Sequence, residues 1–210
     1  NILDVGFGLG YGMNILAIKA GAVSGVEVDE KVYAYCQDTA VGRNPKLVDL
    51  KMYDGRYLQF PDASFDIVSC VDVLEHVEDY HKVMTEFYRV MKPGGWGIFQ
   101  VPIDNNNPKT EEDPNITDPK ERERLYGQDD HVRQYGQDYG NRRNALQSQS
   151  HSLFRPSHQS GCRDEHMCLL RLLSQSYRFS LQLVRALVDG AIRSPHQNCH
   201  RSFRGPSYTR

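Results

Sequence analysis

The segment Asp4-Val5-Gly6-Phe7-Gly8-Leu9-Gly10 sets a carboxylate ahead of three glycines at alternate positions. Glycines so spaced let the backbone turn sharply and leave room for a ligand against bare main chain. Dinucleotide-binding folds share such a turn, so the acids around it carry the information. A nucleotide diphosphate favours backbone N–H groups over a nearby carboxylate, whereas a ligand with an amino group and a positive sulfonium tolerates an acidic site. Glu27 closes a second apolar run, where a carboxylate can accept the hydroxyls of an adenosine ribose. Asp54-Gly55 follows a third run, where the carboxylate could accept the adenine amino group and the next N–H could meet a ring nitrogen. The plainer readings are a solvated acid for Glu27 and an ordinary turn for Asp54-Gly55. Further along, Asp72, His76, His131 and Arg133 are groups able to move a proton or grip an anion.

The elements needed to position these groups follow from periodicity. Residues 1–5 read as a buried strand and 11–20 as a short helix opening on the glycine turn. Residues 23–28 form a second strand, followed by a helix from about Lys31 with Val32, Tyr35, Cys36 and Thr39 on one side. Pro45 breaks the chain before strands over 47–52 and 65–71. From Asp79, the residues Tyr80, Val83, Met84, Phe87, Val90 and Met91 make a helical apolar stripe. Lys92-Pro93-Gly94-Gly95 ends it, and 96–101 is a fifth strand. Strands separated by crossover helices imply an α/β fold, a mostly parallel sheet with helices on both faces. Within 102–139, Asp118-Pro119-Lys120-Glu121 announces another helix, with Asp as N-cap and Pro at the first position. An insertion after the fifth strand lies at the carboxyl end of the sheet and suits a substrate lid. Residues 111–123 read as acidic surface.

The chain resembles the class I S-adenosylmethionine-dependent methyltransferases, especially the type 11 group. The likeness rests on the glycine segment, on Gly25-Val26-Glu27, on Tyr53-Asp54-Gly55 and on Phe60-Pro61-Asp62-Ala63-Ser64-Phe65-Asp66. It continues through Val73-Leu74-Glu75-His76-Val77 and Tyr88-Arg89-Val90-Met91-Lys92-Pro93-Gly94-Gly95, covering about residues 1–101, and more loosely through Asp129-Asp130-His131-Val132-Arg133. It implies a Rossmann-like, doubly wound sheet, S-adenosyl-L-methionine as cofactor and a small-molecule methyl acceptor. By the same resemblance Gly6, Gly8 and Gly10, with Phe7 between them, frame the methionine part of the cofactor. Asp4 lies near its amino group, Glu27 binds the ribose, Asp54 and Gly55 bind the adenine, and Val28 packs on it. Val71 and Asp72 face the methyl-transfer zone. The alternatives are a nicotinamide-dependent oxidoreductase and a non-catalytic cofactor-binding regulator.

Displacement at a sulfonium requires alignment and exclusion of water, and no metal is inherently needed. A base helps only where the acceptor must lose a proton. His76 suits either that work or a structural place in its turn. His131 and Arg133 suit either a solvated loop or the lid, where Arg133 would clamp an acidic substrate or fix the lid to the sheet rim.

Charge divides the chain. Residues 1–140 carry 14 basic and 24 acidic side chains, whereas 141–210 carry 11 arginines, no lysine and three acids. The acidic part gives a nucleic-acid reading no support. Five cysteines, at 36, 70, 162, 168 and 199, form no disulfide framework, and Cys36 and Cys70 read as buried small hydrophobes. The histidines and cysteines of the tail match no compact zinc signature. No apolar run is long enough for a membrane span, and a cytoplasmic setting is the default expectation. The grammar changes at Asn141, leaving a Ser/Arg/Gln/His-rich tail in which only about 167–192 reads as helical. The expectation is therefore a methyltransferase domain over 1–140, truncated at its amino end and lacking its usual closing strands, followed by a frameshifted, fused or disordered tail.

Overall fold

The computed structural model describes residues 1–41, 43–53 and 56–141. The candidate adenine contacts Asp54 and Gly55 lie outside the described residues, as do the basic tail, its helical segment at 167–192 and the region expected to lack closing strands.

Five parallel strands form the main sheet in the order β3-β2-β1-β4-β5: β1 Ile2–Val5, β2 Val23–Glu27, β3 Leu47–Met52, β4 Phe65–Val71 and β5 Met91–Gln100. The chain winds outward from β1 in one direction and from β4 in the other. This is the doubly wound arrangement, and its switch point lies between β1 and β4, where ligands bind beyond the strand ends. Helices α1 (Tyr11–Leu16) and α2 (Glu30–Cys36) follow β1 and β2, and α3 (Tyr80–Val90) joins β4 to β5.

Two apolar clusters flank the sheet. Met13, Leu16, Cys36, Leu47 and Leu50 pack with Ile2 and Phe7 in one. Leu3, Val5, Val68 and Phe99 pack with Val83, Met84 and Phe87 of α3 in the other. Ile2 and Leu3 thus enter opposite clusters, as the pleat requires. Every residue of the expected α3 stripe is buried. Asp79 caps this helix by accepting from Lys82 N–H at 3.1 Å. Arg89 then ties it to the β3–β4 connection, donating to the Phe60 and Leu58 carbonyls at 2.9 and 2.8 Å.

Three local expectations need correction. The first helix stops at Leu16, and 17–20 continue only as turns. In α2, Tyr35 is exposed, while Tyr33 packs against the core and places its hydroxyl on the Leu50 carbonyl at 3.3 Å. The helix is short and runs into a wider π turn at Gln37–Val41, which displaces the stripe from straight helical spacing. The fifth strand begins at Met91 rather than Trp96: Met91 pairs with Phe65, and a register irregularity absorbs Lys92-Pro93-Gly94-Gly95 before Trp96 pairs with Ile67. Pro is tolerated in a strand at such an irregularity.

After β5 the chain forms a strap. Strands β6 (Glu111–Glu112) and β7 (Arg133–Gln134) pair antiparallel and enclose α4 (Pro119–Tyr126). Asp118 caps α4 through Glu121 N–H at 3.0 Å, as its sequence announces, and Gly127 ends it in the left-handed region. The strap returns to the sheet rim, where Tyr139 donates its hydroxyl to the Phe99 carbonyl at 2.9 Å. No helix among the described residues is long and apolar enough to cross a membrane.

Candidate functional site

At the carboxyl ends of β1 and β2 the glycine turn is built mostly from main chain. Gly6, Gly8 and Gly10 all have positive φ, at 71°, 52° and 77°. At Gly6 a side chain would be excluded twice, by that backbone and by Val73, whose Cγ2 occupies the place a Cβ would take. Glu27 is buried and its carboxylate organises the turn. It accepts from Gly8 N–H at 2.9 Å, Val28 N–H at 2.7 Å and Asp29 N–H at 3.2 Å. A carboxylate offers about four lone-pair sites, so capacity remains for a hydroxyl donor. Cys36 Sγ meets the Gly8 carbonyl at 3.2 Å from below, and Cys36 is buried as expected.

Asp4 lies beside this turn, in register with Gly25 of β2 and Ser69 of β4. Burial pushes its carboxyl up to about 7; a hydrogen bond from Ser69 opposes that, and the nearby Glu27 adds to it. Two buried carboxylates therefore face each other's charge across the turn. Phe7 turns its ring down into the α1–α2 cluster, against the space left by Gly25, so it presents only main chain to the turn. Leu9, Tyr11 and Val28 are exposed around it.

The second half of the site follows β4. Val71 ends the strand half-buried. Asp72 has φ 52°, is exposed at the rim and donates its N–H to the Gln100 carbonyl at 3.0 Å. Loss of solvent on its protein side raises its carboxyl above the usual range, against the pull of Gln100, His76 and His131. The turn Val73-Leu74-Glu75-His76-Val77 is then gripped by the strap. Arg133 is 3% exposed and donates to the carbonyls of Leu74 at 2.6 Å, Glu78 at 2.9 Å and Val77, and to the Glu112 carboxylate at 2.9 Å. Val132 N–H reaches the Glu75 carbonyl at 2.9 Å. With four of its five N–H donors so engaged, Arg133 ties the strap to the rim. Glu112, within the expected acidic surface, is its ionic partner.

His131 is carried into this turn and buried, its ring 4.7 Å from that of His76 and nearly perpendicular to it. His76 Nδ1 lies 3.1 Å from the Asp130 carboxylate. Burial lowers the His76 pKa, and Asp130 partly offsets this. Sequence reasoning gave Glu75 no role, yet it is 2% exposed, and burial pushes its carboxyl up to about 8. Its only signal in the chain is an acid set among Val73, Leu74 and Val77. The structure thus brings Asp4, Glu27, the glycines and Val28 together on one side, and Asp72, His76 and His131 together on the other. A cleft of about 430 Å³ borders the strap, lined by Arg133, Glu112 and Val132 with Glu78, Tyr80 and Arg122, and shares none of the glycine-turn residues.

Residues 3–99 match the methyltransferase domain family. Among curated relatives, the ubiquinone biosynthesis O-methyltransferase of Thiobacillus denitrificans is 33% identical over 101 residues, covering 48% of this chain and 43% of that one. Phosphoethanolamine N-methyltransferase 2 of Caenorhabditis elegans is 30% identical over 95 residues, covering 45% and 22%. The chain therefore spans less than half the length of either. An S-adenosylmethionine dependent methyltransferase structure from Mesorhizobium loti superimposes with a TM-score of 0.50 at 22% identity, covering 71% of this chain and 72% of that one, a likeness of fold.

Proposed function

From the match of residues 3–99 to the methyltransferase domain family, we propose that this chain is a class I S-adenosylmethionine-dependent methyltransferase of the type 11 group and transfers the cofactor's methyl group to a small-molecule acceptor. The observation that carries this reading is the pair of buried carboxylates, Asp4 and Glu27, flanking a turn of bare main chain. A diphosphate entering there would meet two acids. A cofactor bearing an ammonium and a sulfonium would relieve their repulsion. In this reading Gly6, Gly8 and Gly10 admit the methionine part, Asp4 takes its ammonium, Glu27 takes the ribose hydroxyls, Val28 covers the adenine, and Asp54 and Gly55 are its remaining candidate contacts.

The reaction is a single displacement. The acceptor's lone pair attacks the methyl carbon, the carbon–sulfur bond breaks, and its electron pair neutralises the sulfonium. The acceptor's proton, where it has one to lose, passes to a base. Val71 and Asp72 border the transfer zone at the end of β4, and His76 and His131 stand on its acceptor side.

Calorimetry with S-adenosylhomocysteine and with a nicotinamide dinucleotide on the full chain tests the reading. The expected result is binding of the first alone, lost in Glu27→Ala. A well-folded protein that binds only the dinucleotide, or neither, overturns it.

A further inference from the structure

We propose that Glu75, His76 and His131 form a binding site for a first-row divalent cation on the acceptor side of the site. Each of the three can offer one ligand atom such that all lie within 4.8 Å of one another. The sequence conceals the set, because His131 comes from the strap and the other two from the turn after β4.

The hydrogen bonds fix which atoms are available. His131 Nδ1 lies 2.9 Å from the Tyr126 carbonyl, which can only accept, so Nδ1 carries the proton. The lone pair is then on Nε2, which is buried without a hydrogen-bond partner. His76 repeats the pattern: Asp130 holds its Nδ1, leaving Nε2 free. An acceptor on the far nitrogen is the usual means of orienting a ligating imidazole. Glu75 Oε2 is likewise buried and has no hydrogen-bond partner. His131 and Glu75 are 5% and 2% exposed, so water does not easily satisfy these atoms. A buried, unpaired polar atom costs about 1–3 kcal/mol, and two directed toward one another's neighbourhood point to a missing common partner. A cation bonded to all three supplies it.

Two imidazoles and one carboxylate suit zinc, cobalt, iron(II) or manganese better than calcium or magnesium, which favour oxygen-rich shells. Three protein ligands leave a position open. Asp72, exposed beside both rings, adds negative charge at the opening. On the proposed function, the open position takes the acceptor's oxygen or nitrogen. The cation would orient that atom and ease loss of its proton before methyl attack.

Cobalt(II) titration of the metal-free full chain, followed by visible d–d absorption, tests the site. The tail also contains cysteine and histidine, so the spectrum must lack a thiolate charge-transfer band. The expected result is saturation at one equivalent, displacement by zinc, and affinity weakened about 100-fold in Glu75→Gln and in His131→Gln but unchanged in His81→Ala. Calorimetry with S-adenosylhomocysteine reports whether each variant is folded. Should the buried variants fail to fold, the partly exposed His76→Gln must show the same loss. No saturable binding, thiolate-type binding only, or equal affinity in the folded variants overturns the proposal. Glu27→Ala, expected to lose S-adenosylhomocysteine and keep cobalt, separates this site from the cofactor assignment.

Discussion

The glycine turn after β1 and the turn after β4 sit at the ends of neighbouring strands and are held by opposite means. The first is shaped from within, by left-handed glycines and a Glu27 carboxylate that gathers three nearby N–H groups. The second is shaped from outside, by Arg133 gathering three carbonyls from more than fifty residues away. A turn organised by an acid suits a cationic ligand whose chemistry never changes. A turn organised by a separate strap can be altered with the strap, leaving the cofactor side untouched. On the proposed function, the first turn would serve the methyl donor and the second the acceptor.

The largest expected effect is at the strap. Arg133→Ala removes the donors of three carbonyls and the partner Arg133 gives Glu112, and unfolding in urea should show a loss of about 3–5 kcal/mol, roughly 1–1.5 kcal/mol for each carbonyl. Arg133→Lys should recover only part, because an ammonium lacks the planar fork. If the two variants are equally stable, the external clamp is not what holds the turn.

Asp4→Asn should act next most strongly, in opposite senses on stability and binding. An unfolded Asp4 titrates near 3.8 and the folded one near 7. Between those values the folded protein keeps a proton that the unfolded chain has released, so this group makes stability fall as pH rises through the window and level off above it. The variant should therefore be more stable than the native protein at pH 8, by up to about 4 kcal/mol, and equal to it near pH 4. It should also bind S-adenosylhomocysteine more weakly by calorimetry. Parallel pH–stability curves would remove the charge argument from the cofactor side.

Gly6→Ala should cost about 2 kcal/mol through its backbone and its collision with Val73. Adding Val73→Ala should return only the collision, and a double-mutant cycle in urea measures that coupling. Full recovery would mean that φ at Gly6 is immaterial. Tyr139→Phe should have the smallest effect, about 1 kcal/mol, from loss of its bond to the Phe99 carbonyl. A much larger thermal shift would make that contact, rather than Arg133, the main anchor of the strap.

The elements most legible in the sequence were those whose signals are contiguous. β3 and β4 begin and end where their apolar runs do, and the Asp118 cap does what its spacing announces. Boundaries failed where tertiary contacts compete with local pattern. Trp96 was expected to open β5, but pairing of Met91 with Phe65 draws the strand past a proline and two glycines. Tyr35 fits a helical stripe on paper, yet the π turn and the Leu50 carbonyl favour Tyr33.

By itself the sequence determined a parallel sheet with helices on both faces, the glycine turn and the acids at its strand ends, because continuous apolar runs, helical periodicity and backbone conformation are written in neighbouring residues. Only the tertiary structure decided that Phe7 faces the core, that Arg133 is a clamp, and that Glu75 meets two histidines. Those outcomes depend on which distant polar atoms come to share a water-poor space, and hydrogen-bond geometry there is fixed only after the strap has folded onto the sheet.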